Sequence, residues 1–221
     1  LETSLKHYIG KEVKVEITGN TIFLGILIDI GLDILVIYDG KQYLYIPMLH
    51  VHSVKRYTDE EIKSADSEET IFNESETISY RKMLQHAKGR FVEIYVTGNK
   101  SIHGYITSVL NDYFVFYSPV YKTMCISLHH LKWLTPYNHE LTPYMLNNEE
   151  LPVKPSSIPL SRTFEEQLKK VEGNLVVFDL GDNPQKIGVV KSIANNIVQL
   201  ITADGEMMFC KLMHIKTMHL P

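Results

Sequence analysis

The stretch GKEVKVEITGNTIFLGILIDIGLDILVIYDGKQYLYIPMLHVHSVK, residues 10–55, decides how this chain is read, because the chain carries it three times. The copies open at Gly10, Gly89 and Gly173. With those glycines superimposed, Asn20, Asn99 and Asn183 coincide without a gap, and so do Gly25, Gly104 and Gly188. After one inserted residue in the second and third copies, His50, His130 and His214 coincide as well. Self-similarity at a fixed spacing marks a repeated structural unit.

Each copy reads as five short strands. Val13, Val15 and Ile17 alternate with Lys14 and Glu16, the period-two pattern of a strand with one buried face. Val92, Ile94 and Val96 repeat it, as do Val176, Phe178 and Leu180. A turn follows in each copy, around Gly19-Asn20, Gly98-Asn99 and Asp182-Asn183, residue types that tolerate positive φ. The second strand carries Gly25, Gly104 or Gly188 in its middle. Glycine weakens a strand unless the backbone bends or another backbone comes close, so three at one position predict a sharp bend. Third strands are expected at 34–38, 113–117 and 197–201. Fourth strands are expected at 42–46, 122–126 and 206–210, and fifth strands near 51–54, 131–134 and 215–218.

A helical stretch is expected before each copy, at residues 1–8, 79–87 and 164–171. The third opens with Thr163 followed three residues later by Glu166, a capping-box spacing. A helix, then five strands with a bent second one and a short fourth-to-fifth connection, resembles the Sm-like barrel; an SH3-like barrel of other ancestry is the alternative. The expected fold is mainly β, with three tandem small five-stranded Sm-like (SH3-like) barrels and short helices before them.

The division that follows is residues 1–57 for barrel 1, 58–76 for an acidic linker, 77–137 for barrel 2, 138–161 for a proline-rich linker and 162–221 for barrel 3. The first linker holds eight acidic residues against Lys63 alone, the composition of a solvated connector. The second carries Pro143, Pro152, Pro155 and Pro159, with Tyr144, Met145 and Leu146 placed to pack along a barrel surface. Units this small sit near the lower limit for independent folding, so they are expected to lean on one another or on partner chains. No stretch reads as a membrane span: residues 22–38 are interrupted by Asp29 and Asp33. Cys125 and Cys210 read as small buried hydrophobes in fourth strands, a usage that suits a reducing compartment.

Signatures of catalysis are absent. There is no G-x-S-x-G elbow, no phosphate-binding glycine loop and no H-E-x-x-H. Acidic pairs such as Glu60-Glu61, Glu149-Glu150 and Glu165-Glu166 fall in linkers or at a helix start. His50 with His52, and His129 with His130, lack companion cysteines or carboxylates at metal-ligand spacing. The aligned His50, His130 and His214 point instead to a local structural job, a ring nitrogen bonding a backbone group where the last strand begins. No catalytic, cofactor-binding or metal site is expected, and no cofactor or small-molecule substrate.

Many Sm-like proteins bind RNA, and the middle copy, residues 77–136, carries seven basic residues against Glu93 and Asp112. That resemblance implies an acidic residue with a nearby asparagine after the second strand and an Arg-Gly pair between the last two. The first pattern is partial here, in Asn111-Asp112, and no Arg-Gly pair is present. A net charge of −4 also lacks the footprint of phosphate contacts. RNA binding through the basic middle barrel remains the alternative reading.

A narrower resemblance covers essentially the whole chain. His130-Leu131-Lys132 and His214-Ile215-Lys216, with His50-Val51-His52 as a looser copy, and the aligned Gly25, Gly104 and Gly188, are similar to the spore coat protein B family. Two features depart from it. Only Asp182-Asn183-Pro184 comes near the family's glycine-, proline- and glutamate-bearing first turn, and its serine- and basic-rich tail has no counterpart here. The resemblance implies a non-enzymatic structural protein, made in the mother-cell cytoplasm and built into a spore coat or outer spore layer. Its expected partners are other layer proteins or itself, joined through unpaired edges of fourth and fifth strands.

Overall fold

The computed structural model describes residues 5–57, 77–98, 100–138, 143–145 and 159–221. The protein is mainly β, with fifteen strands and two short α-helices of more than one turn among the described residues. Strands β1 (Glu12–Ile17), β2 (Thr21–Ile30), β3 (Ile34–Tyr38), β4 (Tyr43–Pro47) and β5 (Val51–Arg56) come from the first copy. The second gives β6 (Phe91–Tyr95), β7 (Ser101–Val109), β8 (Tyr113–Ser118), β9 (Lys122–Ser127) and β10 (Trp133–Pro136). The third gives β11 (Leu175–Phe178), β12 (Ile187–Ala194), β13 (Ile197–Ile201), β14 (Met207–Lys211) and β15 (Thr217–His219).

Within each copy the strand order is fourth, third, second, first, fifth, with every neighbour antiparallel. The ladders do not close any of these five-stranded units on itself. They run on into the next unit, giving one sheet in the order β14-β13-β12-β11-β15-β9-β8-β7-β6-β10-β4-β3-β2-β1-β5. The expected closed barrels are thus replaced, at the level of strand pairing, by a continuous open sheet. The physical reason is that fourth and fifth strands find their hydrogen-bond partners in neighbouring units.

The aligned glycines do the work expected of a bend. A Cβ built on Gly25, Gly104 or Gly188 would lie 2.4, 2.0 or 2.4 Å from the carbonyl oxygen of Tyr38, Tyr117 or Ile201 on the adjoining third strand. No side chain fits there, so each second strand crosses tight over its neighbour. A bulge three residues further on reinforces the bend. The register shifts between Leu27 and Asp29, between Ile106 and Ser108, and between Val190 and Ser192, and a bulge sharpens local twist.

Before the second and third units stand α1 (Tyr80–His86) and α2 (Phe164–Lys169). Ser79 Oγ accepts from the Lys82 amide at 3.3 Å, and Thr163 Oγ1 from the Glu166 amide at 3.3 Å, so both helices begin at true caps. Of the helix expected at 1–8, residues 1–4 lie outside the described residues; Leu5 is helical and a 3-10 turn follows at Lys6–Tyr8. The acidic linker and most of the proline-rich one lie outside them too. Met145 is 93 % exposed rather than packed, while the Tyr144 ring meets Phe91 edge-on.

The first strand of the third unit stops early. β11 ends at Phe178 because Asp179 and Leu180 adopt positive φ, and a 3-10 turn follows at Asp179–Gly181. Leu180 therefore does not continue the strand. Asp179 is instead buried, accepting from the amides of Lys216 at 2.7 Å and Thr217 at 3.2 Å and pairing with the Lys186 ammonium. Cys125 and Cys210 are buried free thiols, in β9 and β14 as expected. Burial pushes the Cys125 thiol up to about 12, which keeps it unreactive.

Candidate functional site: the strand-edge junctions

The apolar clusters do not respect the unit boundaries. Ile34, Val36, Tyr43 and Tyr45 of the first unit pack in one cluster with Tyr80, Met83, Val92 and Leu134 of the second. Tyr113, Val115 and Cys125 of the second unit pack with Phe164, Val176, Phe178 and Met218 of the third. The outer face of each third and fourth strand is thus the floor on which the next unit sits. Burial patterns agree. β4 is buried along its whole length and β8 likewise, whereas β13 alternates and β14 is mostly exposed.

Two junctions repeat one geometry. In the first, β10 pairs antiparallel with β4, Leu134 opposite Tyr45. In the second, β15 pairs antiparallel with β9, with Thr217 opposite Ile126, Met218 opposite Cys125 and His219 opposite Met124. Leu134 and Met218 are the same position of the repeat, and so are Tyr45 and Cys125. Trp133, from the second unit, closes the first junction. It stacks on Tyr95 at 3.9 Å and meets Phe23 of the first unit edge-on at 4.9 Å.

Polar groups cross the same boundaries. The Asp33 carboxylate accepts from the Tyr80 amide, the first residue of α1, at 2.7 Å. Asp112, its equivalent, accepts from the Phe164 amide, the first residue of α2, at 2.8 Å. A carboxylate at a helix start satisfies an orphan N–H and favours the local dipole. Gly31 approaches Ile78 so closely that a Cβ would sit 2.1 Å from the Ile78 carbonyl oxygen. Lys100 pairs with Asp182 at 2.5 Å, joining the second unit to the third.

The aligned histidines belong to these junctions rather than to a local strand start. His130 Nε2 lies 2.8 Å from the backbone carbonyl oxygen of Met213, the residue before the next unit's histidine. His50 is buried against the backbone of His129, again the residue before the next histidine. Burial, with His130 and Lys132 nearby, lowers the His50 pKa to about 4. His130 and His219 are lowered as well, chiefly by burial. An open cleft of about 470 Å³ marks the second junction, lined by Asp112, Ser127, His129, His130, Phe164, Asn196, Leu212, Met213 and His214. Among the described residues no group of three or more His, Cys, Asp or Glu is placed to hold a metal.

Much of the middle unit's basic charge is spent internally. Arg81 donates to the carbonyls of Leu110 at 2.7 Å and Asn111 at 2.6 Å, Lys82 to Thr77, Lys122 to Pro119, and Lys100 meets Asp182. Lys132 is half-buried beside Lys216, and burial lowers its pKa. Among the described residues no helix is long and apolar enough to cross a membrane.

Fold and junctions together define a tandem-repeat, all-antiparallel β protein whose units join fourth strand to fifth strand. Residues 163–218 match the family model for the YwrJ third domain. Over 222 aligned residues the chain is 52 % identical to the protein named "Uncharacterized protein YwrJ" of Bacillus subtilis (strain 168), covering 98 % of this chain and 99 % of that one. The chain belongs to the YwrJ family.

Proposed function

We propose that this chain is a non-enzymatic structural protein of three tandem Sm-like units, similar in kind to the spore coat protein B family, that acts by joining strand edges into a spore surface layer. The observation that supports this best is the repeated junction: Leu134 on Tyr45 and Met218 on Cys125 use one register to join consecutive units. An unpaired strand edge is a template for another strand, through backbone hydrogen bonds that need little sequence specificity. After two internal junctions, β5 at one end and β14 at the other have, among the described residues, a strand neighbour on one side only. Such ends suit incorporation into a larger assembly.

The spore setting rests on the His-Leu-Lys and His-Ile-Lys repeats and the aligned glycines described above. A fluorescent fusion expressed from the native promoter tests it. Appearance late in sporulation, in the mother cell, followed by a shell around the forming spore, is the expected result. Vegetative expression with diffuse fluorescence would refute it.

A further inference from the structure

We propose that the edge of β14, which is unpaired among the described residues, takes β5 of a second copy of this chain, reproducing between molecules the junction that joins the units within one. This rests on the edge-assembly reading and names its first partner. The repeat supplies the register. Phe209 stands opposite Gln199 as Tyr45 stands opposite Val36 and Cys125 opposite Val115. Tyr45 is 0 % and Cys125 6 % exposed beneath the next unit's fifth strand, whereas Phe209 is 63 % exposed. Val54 is the first unit's equivalent of Leu134 and Met218, and it lies half-buried on the other free edge. Phe209 of one chain thus meets Val54 of the next.

The histidine contact has the same unfilled form. His130 reaches the carbonyl of the residue before the next aligned histidine. His214 is exposed, and the residue before His50 is Leu49, itself 53 % exposed. In the joined pair the His214 ring donates to the Leu49 carbonyl of the second copy.

Charge selects head-to-tail pairing over the alternatives. The antiparallel register sets Lys55 opposite Met208 and Arg56 opposite Met207, next to the acidic turn that carries Asp204 and Glu206. All four charged residues are exposed. Two β5 edges would bring Lys55 and Arg56 against their own kind, while β5 on β14 brings them to carboxylates. The interface is heterologous, so two or more chains close into a ring or extend as an open string according to the rotation per junction. Internal junctions also benefit from the high effective concentration of a tethered neighbour. The intermolecular one lacks that help and carries Gln199 where Val36 and Val115 stand, so it forms only as the protein is concentrated.

Disulfide trapping on the full-length chain tests the pairing. A Val54→Cys chain and a mass-tagged Phe209→Cys chain are mixed and oxidised, with the wild-type chain as background for Cys125 and Cys210. The expected product is the mixed V54C–F209C dimer, well above either symmetric dimer. A predominant F209C–F209C product, or no mixed product above background, overturns the proposal. Phe209→Asp should weaken self-association in sedimentation by about thirtyfold or more, as for the loss of a central hot spot. His214→Ala should weaken it by about three- to tenfold, the effect of one hydrogen bond. Equal association by all three proteins would also overturn it. A chain that stays monomeric yet enters the spore layer defeats this inference and leaves the proposed function standing. Head-to-tail pairing without a spore location does the reverse.

Discussion

Truncating the first junction from both sides measures what joins the units. Leu134 and Tyr45 face one another across β10 and β4, and both are completely buried. Leu134→Ala removes an apolar side chain from a site walled by two units, where collapse is limited. Such truncations cost 2–5 kcal/mol, and about 3 kcal/mol is expected here, roughly a 150-fold change in the folding equilibrium. Tyr45→Ala should cost about as much or more. Because the side chains touch the same cavity, the two losses should not add. A coupling of about 1–2 kcal/mol is expected in the double-mutant cycle. Trp133 is the sole tryptophan and sits in this junction, so its fluorescence in urea titrations reports the boundary itself, with circular dichroism following the whole chain. Additive losses, with coupling within about 0.3 kcal/mol of zero, would refute the cross-strand junction.

Other consequences are as specific. Gly104→Ala drives a methyl to 2.0 Å from the Tyr117 carbonyl oxygen and should cost about 3 kcal/mol, the upper end for overpacking, since backbone cannot swing aside; a change under about 1 kcal/mol in a urea titration would contradict the bend. Asp179→Asn, which breaks a buried ion pair with Lys186 and weakens the anchor of β15, should destabilise the chain by about 3 kcal/mol, with thermal melting as the readout. The lowered pKa values of His50, His130 and His219 fix a sign for pH. An unfolded histidine titrates near ~6.5, so below that pH the unfolded chain binds more protons than the folded one. Stability is then full above about pH 6.5 and is lost as pH falls toward about 4, the value for His50. Urea midpoints should decline between about pH 6.5 and 5, above the carboxylate range, and less steeply in His50→Leu; a flat profile would contradict the burial of these rings.

What was legible in the sequence was whatever repeats and acts locally. The Val13-Val15-Ile17 alternation, the glycine in each second strand and the Thr163 cap each state a local rule, and the chain follows them. Leu180 misled because alternation cannot reveal that Asp179 turns to positive φ and aims its carboxylate at β15. The bulges at Ile28, Thr107 and Lys191 carry no common residue type, so nothing in the side chains announced them. The histidines were legible as a repeated feature but not in their role, since the carbonyl that His130 meets lies 83 residues away. The third strand at 113–117 was legible as a strand, but not its burial on both faces. What covers the second face is a neighbouring unit, a contact set by assembly rather than by any local pattern.

The central claim, that strand edges are the working surface, is tested most directly by hydrogen exchange along the full-length chain, dilute and then assembled. In the dilute protein, amides around Tyr45 in β4 and Met124–Ile126 in β9 should be protected, because the strands are paired on both sides there. The outward amides of β14 and β5 should exchange quickly. On assembly the account predicts that protection appears in Met207–Lys211 and Val51–Arg56 and nowhere else to a comparable degree. Assembly that leaves both strands exchanging as in the dilute chain, while a different surface becomes protected, would contradict it.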